Sequence, residues 1–229
     1  MRINLSSTPH YVCRGDDEIL LDDVYFLGLQ DQYTNTQLKL NGDVDVMGIC
    51  FKPYGFFPFL KIPVAEVKNQ ILGADEVGFK IAKRMSERLK GDSNIANKLA
   101  ILEDELLSLL DNSNQYLDKF QEVFNSLKKE KTSDIRDFCK HNGLNIRQLE
   151  RFYSKYIGLP PNTYATLNRF HCSLSQLLST KYLKLSDLAY DNEYFDQMHF
   201  IKDFKRYTGS TPKKFINQEN SILQIGKLT

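Results

Sequence analysis

The feature that most limits how this chain can fold is an internal repeat in its C-terminal hundred residues. Gly158, Pro161 and Tyr164 recur as Gly209, Pro212 and Phe215, each 51 positions later. Leu149 and Tyr153 recur as Phe200 and Phe204 at the same offset. Ile135, Phe138 and Cys139 recur as Leu185, Leu188 and Ala189 at an offset of 50, so the second copy carries one extra residue in its turn. The copies run from Ser133 to Pro161 and from Leu185 to Pro212. Each reads as a short helix, a turn and a longer helix.

The local signals agree with that reading. In the first copy Ser133 is placed to cap the first helix, and Gly143 suits the left-handed residue that ends it. Asn145 caps the second helix, and Gly158 with Pro160-Pro161 stops it. In the second copy Ser186 or Asp187 starts the first helix, Asp196 caps the second and Gly209 ends it. At about 100° per residue, Ile146, Leu149, Tyr153 and Tyr156 share one side of the first long helix, opposite Arg147, Gln148, Arg151 and Lys155. In the second long helix Phe200, Phe204 and Tyr207 form the inner side, and Met198, Lys202, Lys205 and Arg206 face away. His199 lies on the flank.

A basic, hydrogen-bonding face opposite an aromatic one suits major-groove reading. Arg and Lys pair with guanine or with phosphates, Gln with adenine, and an apolar side chain with the thymine methyl. One such face alone reads as a solvated helix surface. Two copies in a helix-turn-helix frame favour DNA, and so does the charge distribution. Residues 1–130 hold 15 Lys/Arg and 20 Asp/Glu, whereas residues 131–229 hold 15 Lys/Arg and 9 Asp/Glu. The net +1 of the whole chain hides a basic C-terminal part suited to a polyanion.

The rest of the composition is that of an ordinary globular protein, with 41% hydrophobic and 26% charged residues. Cys13, Cys50, Cys139 and Cys172 are scattered without a CxxC pair. Neither a metal site nor a disulfide framework is expected, and free thiols fit a reducing cytoplasm. Cys139 is expected as a small buried residue between two helices. No apolar run approaches 20 residues and no signal-peptide core follows Met1, so a cytoplasmic protein is expected.

Ahead of the repeat, residues 1–52 read as strands and turns forming a small sheet. Asp22 to Leu29 is strand-like, Gln37 to Leu40 alternates into the Asn41-Gly42 turn, and Met47 to Phe51 continues an apolar run. Pro53, Gly55 and Pro58 break it. Helices are expected within 63–129: Val64–Gln70 behind Pro63, Asp75–Lys90, Asn94–Leu110 capped by Ser93, and Tyr116–Lys129 after an Asn112-Ser113-Asn114 loop. The apolar stripe Ile95, Leu99, Leu102, Leu106 and Leu109, like Leu117, Phe120, Phe124 and Leu127, reads as helix-on-helix core, with a dimer surface as the alternative. The polar run 128–133 marks the expected boundary between a 1–130 domain and a 131–229 domain. The fold class is therefore α+β: a small β-containing N-terminal domain with following helices, then an all-α C-terminal domain.

Between the copies, Asn162 to Leu178 reads as one linker helix. It would hold both long helices for entry into the major groove about one turn, roughly 34 Å, apart.

These residues resemble the AraC/XylS family of transcription regulators. The resemblance is strongest at Asp187-Leu188-Ala189, Tyr194 through Phe200, Phe204-Lys205-Arg206 and Gly209-Ser210-Thr211-Pro212. Leu149-Glu150-Arg151 and Gly158-Leu159-Pro160-Pro161 add to it. It covers about 85 residues. The one departure is Glu193, where the family usually carries glycine; it must accept a strained backbone or change the turn, at roughly 1 kcal/mol. The resemblance implies base-reading roles for Arg147, Gln148 and Arg151 in the first copy and for Gln197, Met198, His199 and Lys202 in the second. Asn145, Lys155, Lys205 and Arg206 match phosphate contacts.

Gly48 to Gly55 and Leu60 to Glu66 resemble the N-terminal domain of an uncharacterised subgroup of these regulators. Members usually carry more strand-rich sequence ahead of this point, so a sheet short of strands is expected. The resemblance points to double-stranded DNA as partner. It adds a second copy of the chain or an unidentified small-molecule effector at the N-terminal domain, and RNA polymerase for an activator. It implies no cofactor, no catalytic residue and no membrane. Two other classes compete: a helical module contacting protein, and a relative of DNA-repair alkyl transferases, against which the scattered cysteines argue.

Overall fold

The computed structural model describes residues 1–110, 115–130, 135–179 and 184–217. It is α+β, with strands confined to the N-terminal part and helices thereafter. The chain divides into two compact units: Met1–Leu29 with Asn35–Gly158, and Gln30–Thr34 with Leu159–Thr229. The first copy of the repeat lies in the N-terminal unit, and the linker helix and second copy lie in the C-terminal unit. Residues 131–134, where the sequence places its domain boundary and the Ser133 cap, are outside the described residues, as is the Asn112-Ser113-Asn114 loop.

The N-terminal unit holds two antiparallel sheets where the sequence suggested one. The strands are β1 (Arg2–Asn4), β2 (His10–Arg14), β3 (Asp17–Leu20), β4 (Val24–Leu27), β5 (Thr36–Leu40), β6 (Val46–Gly48) and β7 (Ile71–Gly73). One sheet has the order β6-β1-β4-β7, the other β3-β2-β5. β7 falls between two expected helices, beyond the 1–52 stretch read as strands. Its three residues are too short to carry a period, and they become a strand because β4 offers a free edge, with Leu72 opposite Phe26. In the four-stranded sheet Ile3, Val24, Tyr25 and Phe26 are buried. Phe26 meets Phe56 and Phe79 edge-on at 5.7 and 5.2 Å between ring centroids.

The helices depart from expectation in informative ways. A short α1 (Phe57–Leu60) forms around Pro58, which sits in its first turn, where a missing N–H costs nothing. Val64–Val67 is a single 3-10 turn, shorter than the helix expected there. The helix expected from Asp75 begins only at Ala82: α2 spans Ala82–Lys90. Residues before it form turns, with Gly78 at φ 66°. Val77 is nevertheless buried, as are Met85 and Leu89.

α3 (Ile95–Leu107) is capped by Asn94, one residue after the expected Ser93; the Asn94 side chain accepts from the N–H groups of Ala96 and Asn97. Its inner face is rotated from the expected stripe. Leu102 is buried, but Ile95 and Leu99 are 63% and 54% exposed. The reason is Glu105, which is buried and gripped by two arginines of α2. Arg84 donates to both of its carboxylate oxygens, and Arg88 donates at 2.6 Å. The Arg84 guanidinium, helped by Arg88, holds the Glu105 carboxyl below the usual range despite its burial. An ion pair thus orients a helix that the apolar pattern alone would have turned elsewhere.

α4 (Gln115–Glu130) buries Leu117, Phe120 and Phe124 as expected. The first copy of the repeat supplies α5 (Ile135–His141) and α6 (Ile146–Tyr156). In the C-terminal unit follow α7 (Pro161–Ser179), α8 (Leu185–Asp191), α9 (Gln197–Thr208) and α10 (Pro212–Asn217). α7 is the single linker helix expected from 162–178, extended by one residue at each end.

Candidate nucleic-acid interface

The two copies end their first helix with the same set of bonds. In the first, the Asn142 N–H donates to the Phe138 carbonyl and the Leu144 N–H to the Cys139 carbonyl, at 3.0 and 2.8 Å. In the second, the Asn192 N–H donates to Leu188 and the Tyr194 N–H to Ala189, at 3.2 and 3.0 Å. The side-chain amide of Asn142 also donates to Phe138, and that of Asn192 to Leu188, at 3.0 and 2.9 Å. These asparagines are 50 residues apart and were a readable part of the repeat that the sequence analysis missed.

Between these bonds lies the residue that reverses the chain. Gly143 has φ 61° and Glu193 has φ 59°, so the glutamate adopts the left-handed conformation that glycine takes freely. Of the two alternatives, Glu193 accepts the strained backbone. Arg169 of α7 donates to the Glu193 carbonyl at 3.4 Å. Its guanidinium also lies 4.5 Å over the Tyr194 ring and 3.6 Å from the buried Asp203 carboxylate. No role had been read for Arg169 or Asp203. A charged residue between Leu167 and Phe170 on an otherwise apolar helix face was the only hint.

The long helices start as expected. The Asn145 side chain accepts from the Arg147 N–H at 2.9 Å, and that of Asp196 from the His199 N–H at 2.7 Å. In the second copy neither Ser186 nor Asp187 caps the first helix. Lys184 occupies that position without a side-chain bond, and Ser186 donates to Asp187 instead. Gly143 and Gly209 end their helices in left-handed geometry, and Gly209 has φ 74°.

The inner faces form two aromatic clusters. α6 buries Leu149, Phe152, Tyr153 and Tyr156, with Phe152 an addition to the expected set. Phe120 of α4 packs on Tyr153 and Tyr156 at 5.5 and 5.1 Å, and Phe57 of α1 meets Tyr156 at 4.9 Å. α9 buries Phe200 and Phe204. Phe204 packs on Phe170 of α7 at 5.6 Å and on Phe215 of α10 at 5.2 Å. Burial of Tyr194 and Tyr207 pushes both phenols up. Cys139 is buried on α5, and burial raises its thiol pKa. At the end of α9 the Tyr33 N–H donates to the Arg206 carbonyl at 2.8 Å, and a Cβ on Gly209 would lie 2.7 Å from the Tyr33 ring.

The outer faces carry most of the residues singled out from sequence. Arg147, Arg151 and Asn145 are exposed on the first copy, and Gln148 is half-buried. Lys155 is also half-buried, its ammonium 4.9 Å over the Phe57 ring and 5.3 Å over that of Tyr156. On the second copy Gln197, Met198, Lys202, Lys205 and Arg206 are exposed. His199 turns back along the helix, with Nε2 3.8 Å from Asp203 and its ring edge-on to Tyr194. Among the described residues no group of His, Cys, Asp or Glu is placed to hold a metal ion. None of the described helices is long and apolar enough to cross a membrane.

Two matching turns, each followed by a capped helix with an aromatic inner face and a basic outer one, define a tandem helix-turn-helix protein. Residues 138–218 match the family model described as a helix-turn-helix domain. Residues 3–73 match a domain of unknown function. The chain is 30% identical over 81 residues to the HTH-type transcriptional activator AarP of Providencia stuartii. That similarity covers 35% of this chain and 59% of AarP. Among solved structures the chain is similar to apo ToxT from Vibrio cholerae, at 14% identity and a TM-score of 0.45, covering 94% of this chain and 87% of that one.

Proposed function

We propose that this protein is a sequence-specific, non-enzymatic DNA-binding transcription regulator that applies its two long helices, α6 and α9, to separate segments of major groove. The observation that carries the reading is the duplicated helix-turn-helix, each copy leaving a basic outer face beyond a buried aromatic one. The family match over 138–218 supports it, as does the similarity to AarP, a transcriptional activator. Arg147, Gln148 and Arg151, with Gln197, Met198, His199 and Lys202, read bases. Asn145, Lys155, Lys205 and Arg206 hold phosphates. Asn145 has its side-chain oxygen engaged in the cap, so its amide N–H groups are the ones to offer a phosphate. Residues 1–130 act as a sensor or dimerisation domain, with a second copy of the chain or a small-molecule effector as its partner.

A salt titration of the full chain on DNA tests the reading. Duplexes are first selected from a random library, and affinity is then followed by fluorescence anisotropy. Binding through several phosphate contacts must weaken steeply and linearly on a log–log plot. A flat response, or equal affinity for selected and random duplexes, would overturn it.

A further inference from the structure

The turn of the second copy is one residue longer than that of the first, and the structure identifies the extra residue. The matched bonds from Leu144 to Cys139 and from Tyr194 to Ala189 make Leu144 and Tyr194 equivalent. The caps Asn145 and Asp196 are equivalent as well. Leu144 and Asn145 are adjacent, whereas Phe195 stands between Tyr194 and Asp196. Phe195 is 92% exposed, the most exposed large apolar side chain among the described residues.

Nothing in the fold of this copy uses Phe195. A residue just ahead of a helix cap commonly packs on the fourth helical residue. Here that residue is Phe200, which is fully buried and meets Tyr194 at 5.3 Å and Phe204 at 5.6 Å. Tyr194 fills the role from one position earlier and leaves Phe195 in water. Three residues on, at the second position of α9, Met198 is 69% exposed. The same end of the helix carries exposed Gln197, and exposed Lys202 follows one turn later.

Resting on the DNA-binding reading above, we propose that Phe195 and Met198 form an apolar pair that reads thymine methyl groups in the DNA bound by the second copy. The start of the second helix is the part of a helix-turn-helix that reaches the base edges. The thymine methyl is the apolar group that the major groove presents there. Lys202 beside the pair suits the edge of a neighbouring base. The extra residue thus gives the second copy an apolar preference that the first, with Arg147 and Arg151 exposed, lacks.

The test removes the methyl alone. A duplex selected by the full chain from a random library is resynthesised with single thymines replaced by deoxyuridine. Wild-type affinity falls about four-fold at one or two positions, the loss corresponding to one buried methyl-sized group. Phe195→Ser binds the thymine duplex more weakly and no longer distinguishes uracil there. Met198→Ala shows the same indifference. Unchanged far-UV circular dichroism confirms that these exposed positions leave the fold intact. Equal wild-type binding to the thymine duplex and a fully uracil-substituted one overturns the proposal, and so does a Phe195→Ser variant that keeps the discrimination. Sensitivity to Phe195 in binding a protein but not DNA also overturns it. A library that never enriches fails at an earlier step and sinks the DNA-binding reading with it.

Discussion

The two copies of the helix-turn-helix share a frame and differ in what covers its aromatic back. In the first, the inner face of α6 is closed by Phe120 and Phe124 of α4 and by Phe57 of α1, all from sequence ahead of the repeat. In the second, α9 is closed by α7 and α10, which adjoin the copy in sequence. The first copy carries the unstrained Gly143 turn and needs no brace. The second carries Glu193 at φ 59°, an extra Phe195 and a buried Asp203, with Arg169 meeting both the turn carbonyl and that carboxylate. A duplicated frame therefore need not mean duplicated support. Once each copy had its own packing partners, the turns were free to diverge, at a conformational cost in the second that a cation on α7 partly offsets.

Substitutions can break this comparison, beginning with the back of the first copy. Phe120 is fully buried among Tyr153, Tyr156 and Phe152. Phe120→Ala should cost about 3–5 kcal/mol, read as a lower urea midpoint with loss of α6 protection in hydrogen exchange. If α6 protection survives, α4 is not the support claimed for it. In the second copy Arg169→Met leaves Asp203 buried without its cation, at about 3 kcal/mol. Adding Asp203→Asn should restore most of that loss, and no recovery would show that Arg169 acts by packing alone.

The outer faces are separated by binding rather than by stability. Arg151→Ala should lose about 1–3 kcal/mol of affinity on the selected duplex and relax sequence choice. Lys205→Ala should weaken all sequences alike and lower the salt slope by about one unit. Equal losses on all sequences from both variants would refute the division into base and phosphate contacts. The smallest effects test the turns. Glu193→Gly should stabilise by roughly 1 kcal/mol, and Gly143→Ala, whose Cβ meets nothing within 4 Å, should destabilise by a similar amount. Thermal unfolding checks both, and together they should reverse the asymmetry between the turns.

The C-terminal fold was largely legible because its signals are local. Caps at Asn145 and Asp196, stops at Gly143 and Gly209, and helical spacing of the aromatics act within a few residues of themselves. Much of the candidate site was legible for the same reason: Arg147, Arg151, Gln197, Met198, Lys202, Lys205 and Arg206 all lie on exposed faces. The misses came where a distant partner decided the outcome. The ion pair of Glu105 with two arginines of α2 turns α3 away from its expected stripe. β7 exists only because β4 offers it an edge.

By itself the sequence determined that this chain carries two helix-turn-helix copies, where their two long helices begin, and which outer faces are basic. Periodicity and capping are properties of a single segment and need no knowledge of its neighbours. Only the tertiary structure decided which elements close each aromatic face, how a glutamate is held in a left-handed turn, and which turn residue is left in water. Those outcomes depend on side chains far apart in the chain meeting at distances that no local pattern encodes.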